Sequence, residues 1–235
     1  QWLERATDHD DALRAQHIDG IALHYERGGH AHHAAVAWHQ AGQAAARNYH
    51  AHAAYTHYER ALSWFDERDL ARRIDLLHDL GNILELTGQV ERSLESFREL
   101  LRCAWVLDHT AKVAVGYTKL GRAHISLGNY STARTLLDRG IALFRQIDDQ
   151  PGIAACLDAS ARVHLLLGAY DEAERINNLA LDIRRQLGDP RSEALTLNRL
   201  GTVKLHRGDF KDALVLFRQS LELRKQVGDR RGVAE

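Results

Sequence analysis

Apolar positions in this chain recur at the spacing of a helix face and break off at a fixed interval. Leu197, Leu200, Val203 and Leu205 form one helical stripe, Gly208 interrupts it, and Phe210, Ala213, Leu214, Phe217 and Leu221 form a second. The pattern predicts two antiparallel helices joined by a glycine turn. The same unit recurs along the chain. Gly88, Gly128, Gly168 and Gly208 stand 40 residues apart, each preceded seven residues earlier by Gly81, Gly121, Ala161 or Gly201. Two residues after the later glycine comes Val90, Tyr130, Tyr170 or Phe210, and three further on Ser93, Ala133, Ala173 or Ala213. The connections "DDQPG", "LGDPRS" and "VGDRRG" supply turn residues. Pro151 and Pro190 suit a first helical turn, where a missing N–H costs nothing.

Small residues at a helix crossing let two backbones approach. Gly121 and Ala133 are therefore expected as contact points, Tyr130 as the plug beside them and Gly128 as the turn. One hairpin cannot bury its apolar face alone, so the units must stack. The register predicts helix pairs over 68–108, 109–148, 149–188 and 189–228, with a further repeat beginning at 229–235, where "GDRRGVAE" follows the pattern of "GDPRSEAL". Residues 1–67 are less regular. They align through Gly29, Ala34, Trp38 and Ala41, then through Ala54, Tyr58, Ala61 and Leu62, and read as degenerate helical repeats. Because Ala34 and Ala54 are only 20 apart, a short or fused helix is expected before Ala54.

The segments "LGRAHISLGNYSTARTLLDRGI", "SARVHLLLGAYDEAERINNLAL" and "LGTVKLHRGDFKDALVLFRQSL", with a divergent "LGNILELTGQVERSLESFRELL", resemble the tetratricopeptide repeat family in a longer, 40-residue form. The resemblance implies an all-α fold, a right-handed superhelical solenoid of antiparallel helix pairs. Ser160 and Ala161 in place of Leu-Gly, Val90 in place of an aromatic, and Asn177 in place of an aromatic or Leu depart from the pattern and predict local looseness. Together with the irregular start, the repeats resemble the region that follows the nucleotide-binding module in bacterial signal-transduction ATPases with numerous domains.

The family implies that function lies on a concave groove lined by the first helix of each pair. Its groove positions fall here on Asp75, His78, Asn82 and Glu85; on Val115, Thr118, Arg122 and Ile125; on Ala155, Asp158, Arg162 and Leu165; and on Leu195, Asn198, Thr202 and Leu205. Arg122 and Arg162, one repeat apart, suit a carboxylate or phosphate, and Asn82 and Asn198 suit a peptide backbone. The same arginines could instead pair with Asp158 or neighbouring acids. The expected role is a scaffold or sensor arm of a larger bacterial regulator, binding a protein or peptide segment that carries acidic residues. The alternatives are an arm that restrains an ATPase, kinase or cyclase domain of its own chain, and a small-molecule effector sensor.

Composition narrows this further. With 45% apolar and 27% charged residues in 235, the chain can bury a large core. No apolar run approaches the about 18 residues of a membrane span, so no membrane is expected. The 31 basic and 32 acidic residues, net −1, are interleaved and leave no footprint for direct nucleic-acid binding. Cys103 and Cys156 form no disulfide framework, which suits a cytoplasmic location. A chain that starts at Gln1 and contains no methionine reads as a piece of a longer one. Its C-terminal helix would then expose the face carrying Phe210, Ala213, Leu214, Phe217 and Leu221, with end-to-end self-association as the expected result.

The sequence contains no P-loop, GxSxG, HExxH, CxxC or glycine-rich nucleotide fingerprint, so neither catalytic residues nor a cofactor is expected. Ten of the 15 histidines precede residue 58. His30 and His33 could share a helix face, but no Cys or carboxylate joins them at ligand spacing, and solvated histidines are expected rather than a metal site. Of the four tryptophans at 2, 38, 64 and 105, Trp105 stands where later repeats carry Arg145, Arg185 and Lys225 and is a candidate contact for another domain.

Overall fold

The computed structural model describes residues 11–229, which form eleven α-helices and no strand. They are α1 (Asp11–Arg27), α2 (Ala31–Arg47), α3 (Ala51–Trp64), α4 (Leu70–Leu86), α5 (Val90–Val106), α6 (Thr110–Ser126), α7 (Tyr130–Gln146), α8 (Gln150–Leu166), α9 (Tyr170–Leu187), α10 (Pro190–Arg207) and α11 (Phe210–Gln226). Trp2 and the residues beyond 229 that would begin a further repeat lie outside the described residues. The chain divides into two compact units, residues 1–112 and 113–235.

The joints recur every 20 residues. Gly88, Asp108, Gly128, Asp148, Gly168, Gly188, Gly208 and Gly228 all take positive φ, from 50° at Asp108 to 91° at Gly208. A left-handed residue at this place lets the next N–H reach back to a carbonyl the helix leaves orphaned. The Asn129 N–H, for instance, donates to the His124 carbonyl at 2.9 Å. Aspartate, which tolerates this conformation, fills the joint at 108 and 148, and the joint at 108 went unread because no glycine or proline marks it. At the other end of three helices, Asp69, Asp149 and Asp189 cap by accepting from the N–H of Arg72, Gly152 and Ser192. Pro151 and Pro190 occupy the first turns of α8 and α10.

In the first unit, α2 is a full 17-residue helix rather than a short or fused one, and Tyr49 makes the turn into α3 at φ 62°. Ala34 and Ala54 thus belong to the two helices of one hairpin, which is why they stand 20 apart. Its close approach is at Gly42, where a Cβ would come within 2.3 Å of the Tyr58 ring. Trp38, Tyr58, Phe65, Leu76, Leu80 and Leu84 form the buried core of this unit. The next hairpin repeats the geometry, a Cβ at Gly81 coming within 2.3 Å of the Phe97 ring.

In the second unit the residue that fills the space beside Gly121 is Leu137, at 2.8 Å from where a Cβ would be, and not Tyr130. Residues equidistant from a turn face each other in an antiparallel pair, and Gly121 and Leu137 each lie eight from Asn129. Tyr130 packs instead on the cluster of Ile125, Ala133, Leu137, Ala159 and Val163. Phe217 plays the same part against Gly201. The face of α11 divides accordingly: Ala213 is buried and Phe217 faces α10, while Phe210 and Leu214 are 67% and 50% exposed.

Candidate functional site

The groove register distributes differently by residue. Asn82 lies half-buried in the first unit, its amide against the His78 ring at 3.3 Å. In the second unit, Thr118 is buried, donating to the Ala114 carbonyl at 2.8 Å and touching Cys156 Sγ at 3.0 Å. Ile125 is likewise part of the core. Both sit on helix positions turned towards the partner helix, so neither presents its side chain to an occupant. Val115, Leu165, Asn198 and Thr202 are half-buried, and Arg122, Arg162, Leu195 and Leu205 are exposed. Burial raises the Cys156 thiol to about 11, so it stays protonated near neutral pH.

Asp158 is the centre of a buried polar network. Its carboxylate, 6% exposed, pairs with Arg184 from α9 and Arg199 from α10. Arg184 is itself 7% exposed and also donates to the Ser192 carbonyl at 3.1 Å and to the Thr196 hydroxyl. One carboxylate and two guanidiniums tie α8, α9 and α10 together by ion pairing, although the buried Arg199 Nη1 makes no hydrogen bond among the described residues. Arg162 takes no part. Arg122 and Arg162 carry no hydrogen bond or ion pair among the described residues, and Asp158, which the sequence offered as their partner, is engaged with Arg184 and Arg199.

Beside this network lies a cavity of about 160 Å³ lined by Asp158, Ala161, Arg162, Leu165, Asn177, Arg199, Thr202 and Val203. Four of these, Asp158, Arg162, Leu165 and Thr202, belong to the groove register. Asn177 and Arg199 were not assigned to the site from sequence, although Asn177 stood out as a departure from the repeat.

In the first unit the histidines build contacts with their neighbours. His33 stacks on Tyr25 with centroids 5.0 Å apart, and His30 meets His33 edge-on at 6.3 Å. His39 and Gln43 bind the Asp79 carboxylate at 2.9 Å each. Burial alone would raise Asp79, but hydrogen bonds from His39, His78 and Gln43 outweigh it and hold the carboxyl well below the usual range. Among the described residues no three His, Cys, Asp or Glu are grouped to hold a metal ion. Trp105, with Val106 and Leu107, is exposed to solvent. No helix of the described residues is long and apolar enough to cross a membrane.

Comparison with known proteins fits this geometry. The family model of the MalT-like TPR region matches residues 22–229. No curated protein sequence matches the chain. Solved structures do: BtubC from P. vanneervenii superposes with a TM-score of 0.72 at 16% identity, over 92% of this chain and 91% of that one. A Rap protein complexed with competence and sporulation factor gives 0.77 at 15% identity, over 85% of this chain. The Rap conjugation gene regulator of plasmid pLS20, in complex with the Phr* peptide, gives 0.76 at 14% identity, over 88% of this chain. The match spans 56% and 58% of those two longer chains. At these identities the likeness shows the fold.

Proposed function

The chain belongs to the MalT-like TPR family, and from that premise we propose that it is a non-catalytic interaction arm of a larger bacterial regulator, binding a peptide or protein segment along α6, α8 and α10. The observation that carries the reading is the pair Arg122 and Arg162. They occupy equivalent positions 40 residues apart, both are exposed, and neither has a partner among the described residues. Each guanidinium offers five N–H donors in a rigid fork, the geometry that recognises carboxylates. Leu195 and Leu205, exposed on α10, supply apolar contact area on the same register. The occupant of best fit is therefore a segment with acidic residues and intervening apolar ones. The Rap structures, solved with competence and sporulation factor and with the Phr* peptide, support a peptide as the class of partner.

The test begins with a peptide selected by the full chain from a random display library and titrated calorimetrically. Arg122→Ala with Arg162→Ala removes two charge-assisted interactions, each worth roughly 1.5–3 kcal/mol where the partner stays buried, so affinity should fall at least about tenfold. The thermal midpoint should hold, because both side chains are exposed. Unchanged affinity overturns the placement.

A further inference from the structure

Three of the four best-aligned hairpins share one packing rule, and the third in chain order breaks it. Gly81, Gly121 and Gly201 are each met by a large apolar side chain sixteen residues on: Phe97, Leu137 and Phe217. At the corresponding place the third hairpin has Ala161 and Asn177, and there the 160 Å³ cavity opens. An asparagine is shorter than phenylalanine and has lost the apolar plug. A cavity of this size holds a guest about as large as benzene, which is one side chain and no more.

Its polar lining is uneven. Asn177 is 2% exposed; its amide donates to the Ala173 carbonyl at 3.0 Å, and its Oδ1 has no hydrogen-bond partner among the described residues. Flipping the amide would bring two carbonyl oxygens together, so the free group is an acceptor. Asp158, also buried, is a second acceptor in the lining. Arg162 is an exposed donor with no partner, and Ala161, Leu165 and Val203 supply apolar wall. A carboxylate would satisfy Arg162 but leave the Asn177 oxygen unpaired and bring a negative charge towards Asp158. An aliphatic side chain would fill the space and satisfy neither. A primary carboxamide on a short apolar stem donates N–H at the buried wall and accepts from one N–H of Arg162, leaving the rest of that guanidinium's five donors for an acidic residue outside the cavity.

We infer that this cavity is a specificity pocket for a single glutamine or asparagine side chain of the bound segment, occupying the place of the missing apolar plug. The inference rests on the peptide-binding reading above, and its test is independent of that peptide. The full chain, ¹⁵N-labelled, is titrated with N-acetyl-glutamine methylamide and with its glutamate and norleucine counterparts, while the Asn177 side-chain amide resonances, identified by their loss in Asn177→Leu, are followed. The carboxamide should shift them saturably and bind at least about fivefold more tightly than either counterpart. Asn177→Ala should remove that preference, and Arg162→Ala should weaken carboxamide binding at least about threefold. Asn177→Leu, which restores the residue found at Leu137, should abolish binding and raise the thermal midpoint by about 2–4 °C.

Absence of saturable shifts overturns the pocket even if the selected peptide still binds. So does a preference for norleucine, which would mark an apolar hole, or for glutamate, which would mark an anion site. Free L-glutamine binding while the blocked form does not would overturn the assignment to a peptide side chain. Loss of the groove reading alone would show as intact carboxamide binding by the parent chain together with an Arg122→Ala variant, altered outside the cavity lining, that holds its selected peptide unchanged.

Discussion

His57 shows how one side chain sets a pH response. Its ring stacks on Trp38 with centroids 5.2 Å apart and 18° between planes, its Nε2 lies 3.6 Å from Asp19, and its buried Nδ1 has no hydrogen-bond partner among the described residues. Burial lowers its proton affinity; Asp19 partly offsets this and Arg60 adds to it. A histidine whose folded pKa lies below the unfolded value of about 6.5 binds more protons unfolded than folded once the pH drops below that value, so stability falls with pH there. The loss is at most about 1.4 kcal/mol per pH unit. The thermal midpoint should be flat above about pH 7.5 and decline below 6.5, and His57→Phe, which keeps the stack, should flatten the decline. Parallel curves for the two proteins would refute this. Asp79 acts at lower pH: its depressed carboxyl contributes stability that is present above about 3.9 and lost as the pH falls through the folded value. None of this was legible from sequence, where His57 was one of ten clustered histidines. Asn177 is the opposite case. Its departure from the repeat was visible in the sequence, but a column of side chains does not reveal that the gap stays open instead of collapsing.

Within a helix, a glycine can be tolerated or required, and α1 and α4 contain one of each. A Cβ at Gly20 would meet nothing within 4 Å, whereas one at Gly81 would lie 2.3 Å from the ring of Phe97, which is fully buried. Alanine gains about 1 kcal/mol over glycine in a helix interior. Overpacking a tight contact costs about 1–3 kcal/mol. Gly20→Ala should therefore raise the urea midpoint, and Gly81→Ala, with no room for the ring to move, should lower it. A gain at Gly81 equal to that at Gly20 would mean that the two helices do not cross as closely as described. The helix periodicity, the glycine turns and the first-turn prolines were readable in the chain because each is a local rule. The plug was misassigned to Tyr130 because which residues face each other depends on distance from the turn. The hairpin of α2 and α3 was misread because Tyr49 takes a left-handed conformation that sequence assigns to glycine.

Charge and surface act together on the molecule as a whole. At net −1 near neutral pH the chain has little self-repulsion to keep copies apart. Phe210 and Leu214, one helical turn apart on α11, present an exposed apolar pair, with Val215 exposed beside them. Apolar surface removed from water contributes roughly 25 cal/mol per Å², so even a modest patch buried between two copies yields several kcal/mol before the entropy of association is subtracted. Concentration-dependent association through α11 is the expected consequence, weak and readily reversed. It should be strongest near neutral pH and weaken at pH 9, where the chain gains negative charge. Phe210→Lys with Leu214→Lys should abolish it without lowering the thermal midpoint, since both side chains already face solvent. Ala213 and Phe217, which pack inward, should not be used for this purpose, because their loss would disturb the hairpin itself. Sedimentation velocity from about 5 to 200 µM decides the matter. A chain that sediments as a monomer across that range, or a lysine variant that associates as strongly as the parent, would place the contact elsewhere or remove it.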